Sequence, residues 1–388
     1  MAKRGVVALA TSMFVISTSM GIANPIVPLY AEKLGATYTD LGLIGVAWSA
    51  PYIVFPVLAG MWSDKIGRLR CFLVGVLTST IVPLLFLLSS SPLHIALTRL
   101  FHGIGMSFLW APGEAFISDV TSEEERTRYL GFFNASWALG FFLGPMMSAL
   151  IVDEVGYVGV FLLSFSVGVF SAPILLAAKE PSGVKQRAQV GVLKQVKKAV
   201  ARGLPFYVVI TASSIVLAIV YSLYPAYLSD MALSDSEVST IIGILAAARA
   251  LGFWSMGVVP HLNELKAIAA GLAMQVAASL LIVEACGFLP VALIIALIGY
   301  AAGIQIPCAT SLISKKLRRE VAVSLGVLES MFGVGWVIGP GIGGFLADYT
   351  SWSGAPYVFM GLVSLASLAY FLMSAMRASQ EKQREPSQ

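Results

Sequence analysis

Clusters of charge cut this chain into apolar runs, and each run is long enough to cross a bilayer. A spanning helix needs about 20 apolar residues. Between charge clusters twelve candidates stand out, at 5–30, 40–62, 70–89, 92–118, 129–152, 156–178, 204–228, 237–258, 266–284, 289–313, 322–347 and 354–376. They are called spans 1 to 12 below. Only 12% of the residues are charged, 57% are hydrophobic, and the mean hydropathy is +0.84. No soluble domain has that composition, so the expected fold is an all-α membrane protein.

The runs are also duplicated. Gly131 to Pro145 reads Gly-Phe-Phe-Asn-Ala-Ser-Trp-Ala-Leu-Gly-Phe-Phe-Leu-Gly-Pro. About 195 residues later, Gly326 to Pro340 reads Gly-Val-Leu-Glu-Ser-Met-Phe-Gly-Val-Gly-Trp-Val-Ile-Gly-Pro. Six spans lie on each side of the longest hydrophilic stretch, 179–203, which gives two pseudo-symmetric six-helix bundles. The expected division is residues 1–178, a cytoplasmic linker 179–203, residues 204–377, and a disordered cytoplasmic tail 378–388. Positions 192–202 can form a short basic helix on the inner leaflet.

Basic residues are retained on the cytoplasmic side of a membrane. With both termini inside, all but Lys33, Arg99 and Arg249 of the 25 Lys and Arg fall in cytoplasmic segments. The excess of basic charge is therefore a topological signal for a multi-pass protein of the cell's inner membrane, and nucleic acid is excluded as a partner. Met1 to Arg4 followed by an apolar run resembles a signal peptide, but the run continues to Tyr30, longer than a signal core of about 7–15 residues. Cys71, Cys286 and Cys308 have no metal or redox spacing and read as small buried hydrophobes.

Between spans 2 and 3 lies Gly60-Met-Trp-Ser-Asp64-Lys65-Ile-Gly67-Arg68-Leu-Arg70. This resembles the signature loop of the major facilitator superfamily, with every diagnostic position filled. Helix count, linker and duplication extend the likeness over the whole chain. On this topology span 11 starts near Val321 at the depth of Asp64, so its positive dipole end can face the carboxylate and latch the bundles together. The resemblance implies a cytoplasmic gate made by Asp64 with a basic residue after span 4, Arg126 or Arg128. The second half repeats the loop as Gly252-Phe-Trp-Ser-Met256, with the acid lost.

Span 4 carries Arg99-Leu-Phe-His-Gly103-Ile-Gly105, similar to the family's pattern of Arg, three residues, Gly, one residue, Gly. The resemblance associates Arg99 with proton coupling or anion contact, and His102 adjoins it at i+3. Gly140, Gly144 and Pro145, repeated as Gly335, Gly339 and Pro340, are similar to the element that the superfamily associates with proton-exchanging exporters. Glycines four apart also let two helices approach closely, and the proline bends the helix.

Ionisable residues away from span ends are functional candidates by default. They are Arg99, His102, Glu114, Arg249 and Glu329. Glu329 takes the place of Asn134 in the first repeat and shares a helical stripe with Gly333, Trp336 and Pro340. Desolvation favours the neutral form of a carboxyl, which is what a proton carrier requires. Glu114 lies about 22 Å along span 4 from Arg99, near the cytoplasmic end, where a gate role suits it. The family places substrate among spans 1, 4, 7 and 10. Asn24, Trp110, Tyr221 and Gln305 are the cavity candidates there, with Arg249 beside them.

No nucleotide-binding loop, zinc triad or nucleophile elbow appears, so ATP-driven transport and enzymatic readings lack support. The expectation is a monomeric, cofactor-free secondary transporter that works by alternating access on a proton gradient and exports amphipathic organic small molecules. One alternative is an importer or exchanger of organic anions that uses Arg99 and Arg249. A remote one is a membrane receptor that keeps the fold without transport.

Overall fold

The computed structural model describes residues 2–179, 192–258, 263–317 and 321–384. Among them there are helices and turns and no strand. Nine helices are long and apolar enough to cross a membrane, or ten when the broken second span is counted. The helix Arg128–Leu176 contains spans 5 and 6. Span 4, Pro92–Val120, is as long as its neighbours but less apolar, because it carries Arg99, His102 and Glu114. Counted this way the described helices supply the twelve spans.

Breaks recur at matching places in the two repeats. Span 1 is Ala2–Ala23 followed by Ile26–Lys33, divided at Asn24 and Pro25; span 7 is Val192–Ser222 followed by Tyr224–Asp230, divided at Leu223 just before Pro225. Proline removes a backbone donor and clashes with the preceding turn, so a break at these points is expected. Span 2 divides into Tyr38–Ser49 and Pro51–Ile66. Its start is fixed by a capping box: Thr37 Oγ1 accepts from the Asp40 N–H, and the Asp40 carboxylate accepts from the Thr37 N–H. Two tight turns use glycine for its left-handed freedom, Gly67 at φ 111° between spans 2 and 3 and Gly156 at φ 64° between spans 5 and 6.

Two compact units emerge. One holds Met1–Ala188 with Tyr221–Ala246, the other Gln189–Val220 with Ala247–Gln388. The ends of spans 7 and 8 on either side of their connecting turn thus group with the first repeat. Residues 180–191 of the expected linker lie outside the described residues. Val192–Arg202 is helical, as its basic pattern suggests, but it runs unbroken into span 7. Span 12 likewise continues to Arg384. Ala378–Arg384, expected to be disordered, extends that helix, and residues 385–388 lie outside the described ones.

Lipid tails are as apolar as leucine, so helices in a bilayer gain little from hiding apolar surface from each other and associate through close packing and hydrogen bonds. Both are visible. A Cβ on Gly140 would strike Ser17 Oγ and the backbone of Phe14 and Thr18, and one on Gly144 would strike the backbone of Gly21, so spans 1 and 5 touch backbone to backbone. In the second unit Gly335 meets Ser214 and Thr211, and Gly339 meets Ile215 and Ala218, which joins spans 7 and 11 in the same way. Spans 1 and 6 are fastened by reciprocal serines. Ser12 Oγ donates to the Ser171 carbonyl at 3.0 Å and Ser171 Oγ returns the bond at 2.9 Å; Ser19 and Ser164 repeat the arrangement at 2.6 and 2.7 Å.

Gly144→Ala should therefore destabilise the protein by about 1–3 kcal/mol, the cost of forcing a methyl into a filled seam. Gly131→Ala, at a position with open space where the Cβ would sit, should be neutral or slightly stabilising, since alanine is the better helix former. Thermal unfolding of the two variants in detergent checks the contrast, and equal melting temperatures would contradict the seam.

Candidate functional site

Arg68 organises the signature loop. Its buried guanidinium pairs with the Asp64 carboxylate four residues earlier, donates to Ser63 Oγ at 2.7 Å, and reaches Asp119 Oδ2 of span 4 through Nε at 3.0 Å. The strained-looking spacing of glycine between two basic residues has a local cause: Gly67 reverses the chain so that Arg68 can fold back over Asp64. Lys65 and Arg70 are exposed, with Arg70 within 3.5 Å of the Ile66 carbonyl, and Gly60 has open space where a Cβ would sit. Arg126 donates to the Ser118 carbonyl at 3.3 Å, beside Asp119, while Arg128 is exposed. Asp119 was not a candidate in the sequence, because an acid at a helix end reads as ordinary topology.

Arg99 and Asn24, assigned to different roles, are together. Arg99 is 9% exposed, and its guanidinium donates to Asn24 Oδ1 at 3.3 Å and lies 5.5 Å from the centre of the Phe86 ring. Asn24 is available because span 1 breaks there. His102 is buried one turn away, and neither ring nitrogen has a hydrogen-bond partner. Glu114 is exposed.

Trp110 packs edge-on against Phe133 at 5.7 Å and Trp137 at 5.2 Å, and Trp137 continues to Phe141 at 4.3 Å. Phe133, Trp137 and Phe141 recur every fourth residue on span 5, an aromatic stripe interleaved with its glycines. Tyr221 is buried in the same unit. Gln305 does not fit the cavity role expected of it. It is fully buried, its side-chain amide donates to Gln275 Oε1 at 3.1 Å, and Gln275 donates to Ser213 Oγ at 3.2 Å. A missing Cβ at Gly271 makes room for it. Gln305 thus ties span 10 to spans 9 and 7 inside the second unit.

Also in the second unit, Arg249 of span 8 lies 5.5 Å from the Phe253 ring and 6.0 Å from the Phe332 ring. Glu329 keeps an open face, and Phe332 follows it by three residues on the same side of span 11. Span 8 is held hard against span 10 at this level, where a Cβ on Gly252 would strike the Tyr300 carbonyl and Gly303.

At the acidic end of the first unit, the turn between spans 7 and 8 is bound to the start of span 2 and to the turn between spans 5 and 6. Tyr38 Oη donates to Asp230 at 2.7 Å, Tyr157 Oη to Asp235 at 3.2 Å, and the Ser236 N–H to Asp153 at 3.3 Å. Lys33 sits 4.1 Å above the Tyr157 ring. Just beyond, Ser148 and Ser239 Oγ are 3.4 Å apart, and Met146 fills the space beside Gly243. Among the described residues no His, Cys, Asp and Glu cluster could hold a metal ion.

The sequence model of the Major Facilitator Superfamily matches residues 9–324 and 265–388. The chain belongs to that superfamily. It is 23% identical over 383 residues to Multidrug resistance protein 2 of Bacillus subtilis (strain 168), covering 93% of this chain and 92% of the relative. It is also 23% identical over 385 residues to the quinolone resistance protein NorA of Staphylococcus aureus (strain MRSA252), with 96% and 97% covered. A crystal structure of a point mutant of the nucleoside transporter NupG superposes with a TM-score of 0.79 at 14% identity, over 95% of this chain and 99% of that one. The chain is thus a multi-pass membrane transporter of small molecules rather than an enzyme, with the superfamily's twelve-span architecture.

Removing Arg68 leaves two carboxylates without their shared cation. Arg68→Ala should lower stability by about 2–4 kcal/mol, toward the range for breaking a partly buried pair, whereas Arg70→Ala at an exposed site should cost about 0.5 kcal/mol or less. Thermal melts in one detergent compare them. At the acidic end, Tyr38→Phe with Tyr157→Phe deletes two phenol-to-carboxylate bonds. In a background lacking the native cysteines, maleimide labelling of Ser239→Cys should then speed up several-fold, and an unchanged rate would mean that these bonds do not keep the ends together.

Proposed function

We propose that the chain is a proton-coupled exporter of amphipathic organic small molecules, seated in the inner membrane with both termini cytoplasmic and working by alternating access. The observation that carries this reading is the Glu329 site: one carboxyl with an open face in mid-span, on the helix that carries Phe332 and Trp336, with Arg249 of span 8 near the Phe332 ring. Such a group can exchange a proton for a substrate, because a proton and a positively polarised ligand neutralise the same charge. Aromatic faces suit amphipathic molecules without fixing their shape, and in the first unit Trp110, Trp137 and Phe141 supply more of them. The relatives named for multidrug and quinolone resistance favour export, as do the glycine seams of spans 5 and 11.

Asp64 and its neighbours serve as the cytoplasmic gate on this reading. Within the first unit the Asp64 charge is balanced by Arg68, so the gate works as a linked group in which Asp119 is a full member. The organic-anion alternative draws less support, since Arg99 is engaged by Asn24 and Arg249 lies beside two phenyl rings.

Glu329→Gln mimics a permanently protonated carboxyl. In proteoliposomes it should abolish accumulation driven by a pH gradient while leaving substrate counterflow, which needs no net proton movement, largely intact. Accumulation at the normal level in Glu329→Gln would refute the coupling role, and loss of both activities would assign Glu329 to structure.

A further inference from the structure

The ion pair at the start of span 3 has a counterpart in the second unit with its charges exchanged. Arg68 is the first residue of the helix Arg68–Leu87 and pairs with Asp119, next to last in Pro92–Val120. Glu264 is the first residue of Glu264–Leu281 and pairs with Lys315, next to last in Phe288–Lys316. The partners are 51 residues apart in both pairs. Each unit thus ties the start of one span to the end of the next, but the two ties are not equivalent.

A helix N-terminus favours negative charge and a C-terminus positive charge. Glu264 and Lys315 both stand at the favoured end. Lys315 Nζ donates to the two Glu264 oxygens at 2.8 and 2.9 Å, Ser311 Oγ donates to the same carboxylate, and Asn263 caps the helix by accepting from the Leu265 and Lys266 N–H groups. In the first unit all three charges stand at the disfavoured end. Arg68 begins its helix after Gly67, which has no side chain to cap with, and Asp64 and Asp119 lie in the last turns of theirs. Two acids also compete for Arg68, whereas the second unit carries Met256 in place of the loop's acid.

We propose that Glu264, Ser311 and Lys315 form a permanent clasp on the second unit, and that the charge-exchanged pair of the first unit is a clasp built to release. An exposed ion pair by itself contributes little, and Lys315 is exposed. What makes this one hold is that opening it would take both charges away from helix ends that attract them. Opening the first clasp relieves adverse placements instead. The asymmetry depends on neither the substrate nor the direction of transport nor the coupling ion.

A buried native cysteine lies within two turns of each clasp, Cys71 on span 3 and Cys308 on span 10. Such a thiol reacts with maleimide only during local opening. Labelling is measured in detergent on variants that keep one cysteine or the other, each against the same protein denatured. Protection of Cys71 should be lower than that of Cys308 by about fivefold or more, and equal protection overturns the proposal. Exchanging the second pair, Glu264→Lys with Lys315→Glu, keeps opposite charges together but sets both against their helix ends. Cys308 should then label about fivefold or more faster, and an unchanged rate overturns the proposal. In the first unit, Asp64→Asn removes the competing acid, and adding Arg68→Asp with Asp119→Arg puts both remaining charges at favoured ends. Cys71 should label several-fold more slowly than in Asp64→Asn alone, and a rate as fast or faster counts against the proposal. Should that variant not fold, the comparison of Cys71 with Cys308 and the exchange at the exposed second clasp decide the matter between them.

Discussion

Backbone contact through glycine underlies the rest of this structure. Spans 1 and 5 meet at Gly21, Gly140 and Gly144, and spans 7 and 11 meet at Gly335 and Gly339. In a solvent of hydrocarbon, close approach must do what burial does in water. The consequences run outward from these seams. Once span 5 lies on span 1, Phe133, Trp137 and Phe141 are carried round to Trp110. Once span 11 lies on span 7, Phe332 is presented toward span 8, where Arg249 stands.

Charge is handled by pairing inside each unit. Arg68 is shared by Asp64 and Asp119, Arg99 by Asn24 and the Phe86 face, and Arg249 lies beside two rings. Each of these three basic groups has a polar or aromatic neighbour, in keeping with the cost of isolated charge in a bilayer. His102 differs, being buried beside Arg99 with both ring nitrogens unsatisfied. Neutral imidazole tolerates that position far better than an ion would.

Much of this was legible in the amino-acid order. The duplication announced two equivalent seams, and Gly140 and Gly335 both proved to be points of closest approach. The polar residues of span 1 were visible too, although only contacts 145 and 159 residues away reveal that Ser12 and Ser19 serve packing. Gln305 shows where pattern reading stops. Aligned repeats placed it opposite Trp110, but a period of 3.6 residues does not say which neighbour a side chain faces, and Gln275 and Gly271 were both needed to draw it inward. Asp119 and the Tyr38–Asp230 bond were hidden for a related reason. Their partners are 51 and 192 residues distant, and neither the acid at a helix end nor the tyrosine in a turn stands out alone.

The reciprocal serines have a consequence for how the chain is made. Span 1 is synthesised before span 6, and Ser19 waits for Ser164, which follows 145 residues later. At about 5–20 residues per second that interval is about 7–30 s, during which span 1 sits in the membrane or its insertion machinery without its mate. Ser17 and Thr18 show how a hydroxyl endures such a wait, since both bond to the Phe14 carbonyl of their own helix. Ser12 and Ser19 have the same resort available and must exchange it for span 6 when that arrives. The first span is therefore able to insert alone, yet it is finished as a polar surface only when the last helix of its own repeat has emerged.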